Sequence, residues 1–434
     1  MFCRMTEPSE GLSRRALLGG LAAAGAASFT RSARAGGRIS VSLSARGESL
    51  VLAQGRSASP LWRLAAPAPV VRLARGTALD LDLSNGLSIP AALSSRGLTL
   101  PAPLLAQAEI GPGGRATIPA LASRAGTGLL DLRLLVDAVP IRPLPVIVDE
   151  AATVTVDRDE NFLVEDFRLK ADGTAVAPGT EARDTELIYT VNGHVQPEIA
   201  LRTHERVRLR FINGCQRAVI AIKIADLDAV RVMAIDGQPA EPFLARNGAV
   251  VLPPGGRTDV FIDMPAAKTV LAVLLHDGSN PRPLARLVAS SEPPLRAAPL
   301  PPAPPLPSNG LPDKLDLRTA ARAELALDGA GWQPPAAFNA GGAPTFRARA
   351  GQVVVLALAN KTAGTHVVHL HGQPFRLLDR LDDGWKPYWL DTLALEAGQT
   401  QRIAFLAEQS GRFLVESMAT NWAAPRLLRW YEIR

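Results

Sequence analysis

The sequence predicts an all-β protein built from β-sandwiches in series. Three observations carry that expectation. Gly and Pro number 36 each among 434 residues, a density of turn formers that suits many short strands and disfavours long helices. Runs with strand periodicity recur: Ala78–Leu83 reads Ala-Leu-Asp-Leu-Asp-Leu, one face apolar and one wet. Turn signals separate such runs, among them Gly111-Pro-Gly-Gly, Pro253-Pro-Gly-Gly and Ala363-Gly364.

Two further runs fit the same scheme. Arg206–Ile212 (Arg-Val-Arg-Leu-Arg-Phe-Ile) alternates and is expected to keep its arginines in water, whereas Val353–Ala359 is nearly all apolar, as a strand covered on both faces would be. A weak internal repeat points to three units. Each contains a strand that ends in Asn (Gly76 to Asn85, Arg206 to Asn213, Gly351 to Asn360) and later a glycine turn before another strand (Gly113-Gly114, Gly255-Gly256, Gly398). The expected domains are 38–148, 149–290 and 313–434. Between the last two, residues 293–307 hold eight prolines, so 291–312 is expected to be an extended, semi-rigid connector rather than a proline-rich ligand.

Residues 1–35 read as an export signal. Arg14-Arg15 precede the short apolar stretch Ala16–Phe29 and the small-x-small site Ala33-Arg34-Ala35, which predicts twin-arginine export to the periplasm. No later stretch is long and apolar enough to span a bilayer. The net charge of +6 falls to +3 once the five Arg and two Glu of this segment are set aside, too little to argue for nucleic acid or anionic lipid. Cys3 lies in the signal. Cys215 stands alone beyond it, so no intrachain disulfide is expected there, and it reads as a half-buried small residue near a strand end.

Three of the six histidines cluster in His366-Val-Val-His369-Leu-His371-Gly372. Neutral imidazole is the commonest metal ligand, and His-x-His on a strand places both rings on one face. With this motif in hand, residues 338–434 resemble the last cupredoxin domain of a multicopper oxidase, through His366-x-x-His369-x-His371-Gly-x-Pro-Phe, Trp389-x-Asp391-Thr392, Glu396-Ala-Gly-Gln-Thr-Gln-Arg and Gly411-Arg-Phe. Residues 188–264 resemble the middle domain (Val191-Asn-Gly, Asp236-Gly-Gln-Pro, Pro254-Gly-Gly-Arg-Thr-Asp259), and 59–148 a diverged first one. The resemblance implies three tandem cupredoxin-like Greek-key β-sandwich domains. It also implies a mononuclear copper that takes electrons from substrate and a three-copper cluster between the first and last domains that reduces dioxygen. Together these need ten histidines and one cysteine.

The chain has six histidines, none before residue 194. At the family's ligand positions the first domain carries Ser94-Ser95-Arg96 and Asp131-Leu-Arg133; the last carries Glu416-Ser417-Met418, then Trp422 and Leu427. Ser417 stands where the family has the copper thiolate, and a hydroxyl makes no soft covalent copper bond. His366, His369 and His371 survive as metal-ligand candidates, the first for the mononuclear copper and the other two for the cluster. Arg96 and Arg133, facing Asp131 and Glu416, suggest a charge-balanced plug where metal ions would sit, since buried charges must be paired. The expected function is therefore a non-oxidase periplasmic binding or scaffold protein without a cofactor and with an unidentified protein partner, similar to the copper-free cell-division member of the superfamily. The alternatives are a copper-dependent oxidoreductase with a rebuilt site, or a protein binding one or a few metal ions through the surviving histidines and a carboxylate from Asp131 or Glu416.

Overall fold

A computed structural model describes residues 38–100, 109–134, 139–266, 268–379 and 384–434. The expected signal, residues 1–35, lies outside the described residues. The compact unit Arg38–Arg434 is almost entirely β. Its described helices are two single turns, Arg246–Gly248 and Pro335–Ala337, and no described helix is long and apolar enough to cross a membrane.

Six sheets pair into three sandwiches in chain order. The first joins a sheet built around Ala78–Asn85 to one holding Ala91–Arg96 and Gly126–Leu134. The second is built around Arg206–Asn213 and the third around Val353–Asn360. Each encloses its own apolar core: Leu79, Leu81 and Leu83 in the first, Val207, Leu209 and Phe211 in the second, Val354, Leu356 and Leu358 in the third.

The internal repeat has a physical basis in this topology. Each central strand lies parallel to the strand that opens its unit (Ile39–Leu50, Arg158–Leu169, Ala321–Leu327) and antiparallel to a later one (Arg115–Leu121, Arg257–Asp263, Thr400–Leu406). The terminal Asn closes the end of each sandwich. The Asn85 Nδ2 donates to the Ile89 and Ile110 carbonyls while its Oδ1 accepts from the Leu87 amide. Asn213 repeats the bracket with Ala218, Leu252 and Cys215, and Asn360 with Gly364, Leu395 and Thr362. A short amide is suited to all these bonds at once, because it carries two donors and an acceptor on a two-bond stem.

Two expectations need correction. Every residue of Arg206–Asn213 is buried, arginines included. The face read as wet is covered, and its charges are neutralised in place: Arg208 pairs with Glu150 and Asp259, Arg210 with Asp159 and Asp259, Arg206 with Asp263. The alternation was sound, but a period of two does not distinguish water from a layer of ion pairs on the polar face. Cys215 is buried outright, and burial pushes its thiol up, away from the thiolate that would react or bind metal. The proline-rich connector, for its part, is packed onto the second sandwich: Leu306 is buried against Met233, Ala234 and Phe261.

Candidate metal site at the seam of the first and third sandwiches

Strand period and register decide which side chains meet. In the first sandwich Ser94 lies opposite Asp131, Arg96 opposite Leu129 and Ala92 opposite Arg133, so Ser94, Arg96, Asp131 and Arg133 share one face. In the third, His369 lies opposite Glu416, Val367 opposite Met418, and Met418 opposite Arg426. His369, Glu416, Met418 and Arg426 therefore share a face too, and His371 follows just beyond its strand. The two faces meet. His366, Val368, Ser417 and Leu427 point the other way.

At the seam the Arg96 guanidinium lies 3.4 Å from the Glu416 carboxylate, and Glu416 lies 3.3 Å from the His371 Nε2, off the line of a straight hydrogen bond. Arg96 and Glu416 are each 8% exposed. Burial alone would raise the Glu416 carboxyl, but His371, Arg96 and Arg426 together hold it well below the usual carboxylate range. Asp131 lies 3.6 Å from Arg426. Its burial prevails over Arg426 and Arg96, and its carboxyl is pushed up.

Two of the expected pairings are thus corrected. Asp131 pairs with Arg426, the first residue of the strand Arg426–Ile433, and not with Arg96 or Arg133. Arg133 has no carboxylate within ion-pair distance among the described residues; it is half-buried and feels Glu416 and Glu109 only at longer range. Its neighbour in register, Ala92, brings no charge, and Glu416 is taken by Arg96.

His369 is 3% exposed and stacks edge-on against His371, with ring centroids 4.3 Å apart. Its Nδ1 lies 2.9 Å from the Asp391 carbonyl oxygen, which only accepts, so Nδ1 carries the proton and Nε2 presents a bare lone pair. That Nε2 has no hydrogen-bond partner. Burial, Arg96 and His371 depress His369 to about 3, so the ring is neutral at physiological pH. His366 donates to or accepts from the Ser417 hydroxyl at 3.0 Å, and Leu427 packs on the third core. Trp422 donates from Nε1 to the Ala177 carbonyl and ties the third sandwich to the second. Met418 and Ser94 are at the seam, Ser94 with a buried, unpartnered hydroxyl, and Met418 lines a pocket of about 40 Å³ together with Arg96, Asp131, His369 and Glu416.

Sequence reasoning missed the second sandwich's part in this seam. Gly255, at φ +81°, allows Arg96 to lie on its backbone: a Cβ there would stand 2.6 Å from the Arg96 Nε. Arg257 forms a two-pronged pair with Asp391 at 2.8 and 2.7 Å, and Asp236 accepts from the backbone amides of Arg257 and Asp391. The motifs Asp236-Gly-Gln-Pro, Pro254-Gly-Gly-Arg-Thr-Asp259 and Trp389-x-Asp391-Thr392 thus all converge on the loop that orients His369.

This architecture can be compared with known proteins. The multicopper oxidase family pattern matches residues 311–433. A multi-copper oxidase from Pseudomonas thermotolerans superposes with a TM-score of 0.77 at 23% identity, covering 91% of this chain and 99% of that one. The chain has the multicopper oxidase fold. Lac15 from a marine microbial metagenome (TM-score 0.74, 22% identity, 91% and 100% coverage) and the multicopper oxidase McoA of Aquifex aeolicus (0.71, 15%, 91% and 96%) share it. No curated protein matches the chain.

The multicopper oxidase fold implies copper, and the donor set here does not fit the oxidase arrangement. A cluster held by eight histidines meets two at this seam, His369 and His371, with Arg96 and Glu416 among them. No group of three or more His, Cys, Asp or Glu side chains among the described residues is disposed to hold a metal ion. At the place that the resemblance gives the mononuclear copper, His366 is hydrogen-bonded to the Ser417 hydroxyl, Trp422 to the Ala177 carbonyl, and Leu427 packs on the core.

Proposed function

We propose that this chain is an exported multicopper-oxidase-like protein that has lost its oxidase chemistry and acts as a periplasmic binding or scaffold protein. Its sandwiches would be bounded at 38–148, 149–290 and 313–434 and carried through the inner membrane by the twin-arginine signal at 1–35. The observation that carries the reading is the Arg96–Glu416 ion pair between the first and third sandwiches, where oxidases of this fold hold metal. A guanidinium among the donor positions repels cations, and Ser417 offers no thiolate to accept an electron. The charges that metal would supply are supplied by side chains, so the seam can close without a cofactor.

A second reading has one observation in its favour. The buried, unpartnered Nε2 of His369 beside His371 and Glu416 is a metal-accepting group, which suits copper-dependent oxidoreduction at a rebuilt site or the binding of a single ion. Oxidase assays separate the two. Copper-loaded protein is given phenolic and dye substrates; the first reading expects no turnover above free copper, and turnover that vanishes in His369→Ala overturns it. Export is tested apart from this. Arg14→Lys with Arg15→Lys should leave precursor in the cytoplasm, and normal export of that variant removes the twin-arginine route.

A further inference from the structure

Arg96 and His369 line two chambers at the seam, of about 40 and 80 Å³. On the wall of the smaller one, three buried polar atoms have no hydrogen-bond partner: the Arg96 Nε, the His369 Nε2 and the Gln216 Oε1. Arg96 is 8% exposed, Gln216 5% and His369 3%, so none of the three is satisfied by open solvent. Their roles are fixed. The Arg96 Nε only donates. The His369 Nε2 only accepts, because the proton sits on Nδ1, which faces the Asp391 carbonyl. The Gln216 Oε1 only accepts, because the amide nitrogen is held by its bond to the Ile141 carbonyl at 2.8 Å. Gly255, which lines the same chamber, keeps the donor uncovered: a Cβ there would stand 2.6 Å from the Arg96 Nε. Buried polar atoms are costly to leave without partners, and one donor beside two acceptors calls for a ligand that can both accept and donate.

The charges of the same wall select the sign of that ligand. Arg96 is paired with Glu416 and Arg426 with Asp131. Arg133 shares the face of Arg96 and Asp131, and it has no carboxylate within ion-pair distance among the described residues. Three guanidiniums thus meet two carboxylates, which leaves positive charge in a poorly solvated seam. A cation is repelled there, and water satisfies the orphaned atoms without meeting the charge. An anion that keeps a hydroxyl does both. Its charged oxygens accept from Arg96, and its hydroxyl donates to an acceptor that a fully deprotonated anion cannot serve. Size narrows the class further. A space of about 40 Å³, where roughly 10–15 Å³ holds one water, admits about three waters or one bicarbonate.

We propose that the seam is a binding site for a small planar oxoanion that retains a hydroxyl, bicarbonate, held between the Arg96 Nε as donor and the His369 Nε2 as acceptor of the hydroxyl proton. The site rests on the reading of this chain as a binding protein whose seam holds no metal, and it gives that protein a ligand. Its test uses metal-free protein and reads no turnover. Failure to bind bicarbonate therefore leaves the non-oxidase reading standing, and copper-dependent turnover overturns that reading whatever the anion does.

The test is calorimetric titration of the folded chain, treated with chelator and dialysed into bicarbonate-free buffer at pH 7.5, with bicarbonate and separately with nitrate. Nitrate has the charge and planar outline of bicarbonate and lacks the hydroxyl. The expected result is saturable one-to-one binding of bicarbonate, with nitrate weaker by roughly tenfold or more because it leaves the acceptors unpaired. Arg96→Lys keeps the charge and removes the Nε donor, and it should weaken bicarbonate by roughly tenfold. His369→Phe keeps a ring and removes the lone pair. It should weaken bicarbonate to the level of nitrate and leave nitrate binding unchanged, a split that a general loosening of the seam does not produce. The parent's preference for bicarbonate over nitrate decides the matter even where a variant fails to fold. The proposal is overturned if bicarbonate shows no saturable binding by about 50 mM, if nitrate binds as tightly, or if both folded variants bind bicarbonate as the parent does.

Discussion

Replacing Glu416 by Gln keeps the side chain's shape and removes one negative charge from the seam. Arg96 then loses its ion-pair partner at 3.4 Å while remaining 8% exposed. Coulomb's law at an effective dielectric of about 20 gives roughly 5 kcal/mol for that pair, and breaking buried pairs costs about 3–5 kcal/mol. The compact unit Arg38–Arg434 has an unfolding entropy of about 0.8 kcal/mol per degree at the usual ~2.1 cal/mol/K per residue, so Tm should fall by roughly 4–6 °C. Arg96→Met should cost a similar amount, because it strands Glu416 between His371 and more distant Arg426. The double variant has no stranded charge at this pair, so it should cost less than the sum of the singles. Calorimetry of the four proteins at one pH and salt concentration completes the cycle. Near-neutral and additive effects, each under about 1 kcal/mol, would show a solvated pair and refute the reasoning.

Three other outcomes are expected, one at the seam and two in the second sandwich. Gly255→Ala places a methyl 2.6 Å from the Arg96 Nε at a φ of +81°, so it should destabilise by about 1–3 kcal/mol, and part of that cost should disappear in an Arg96→Ala background, measured by urea unfolding. Burial pushes Asp166 up to about 6, above its unfolded value; its contribution to stability is fully present below the unfolded value and lost as pH rises through about 6. Stability measured at pH 5 and 7.5 should therefore shift in favour of Asp166→Asn at the higher pH, and an unchanged gap contradicts the assignment. Asn213→Ala removes a bracket of three hydrogen bonds, two of them buried, leaves the Ala218 and Leu252 carbonyls without that donor, and should lower stability by about 2–4 kcal/mol in thermal unfolding.

The fold was legible because its signals are local. Glycine turns, alternating runs such as Ala78–Leu83 and strands ending in Asn85, Asn213 and Asn360 each report on a few neighbouring residues. The site was legible only in part. Ser94, Arg96, Asp131 and Glu416 occupy strand positions whose parity sets the face they share, and parity is written in the sequence. Arg426 was missed because its tie to Asp131 depends on the register of two strands joined by the turn after Ala419, and nothing in Arg426-Leu-Leu-Arg marks one arginine over the other. The buried arginines of Arg206–Asn213 were misread for a related reason: burial of a polar face depends on what packs over it, here Glu150, Asp159 and Asp259 from distant segments. Gly255 appeared only as a turn signal, yet its lack of a side chain is what lets three sandwiches meet at one guanidinium.

If the Arg96–Glu416 pair stands where a copper cluster would otherwise sit, copper should find no tight site at the seam. The measurement is metal analysis of purified protein exposed to excess copper, with unbound copper then removed. The expected result is well under one tightly bound copper per chain, no thiolate-to-copper absorption in the visible range, and a Tm that chelator leaves unchanged. Three or four coppers per chain, lost together in His369→Ala and accompanied by a fall in Tm, would contradict it.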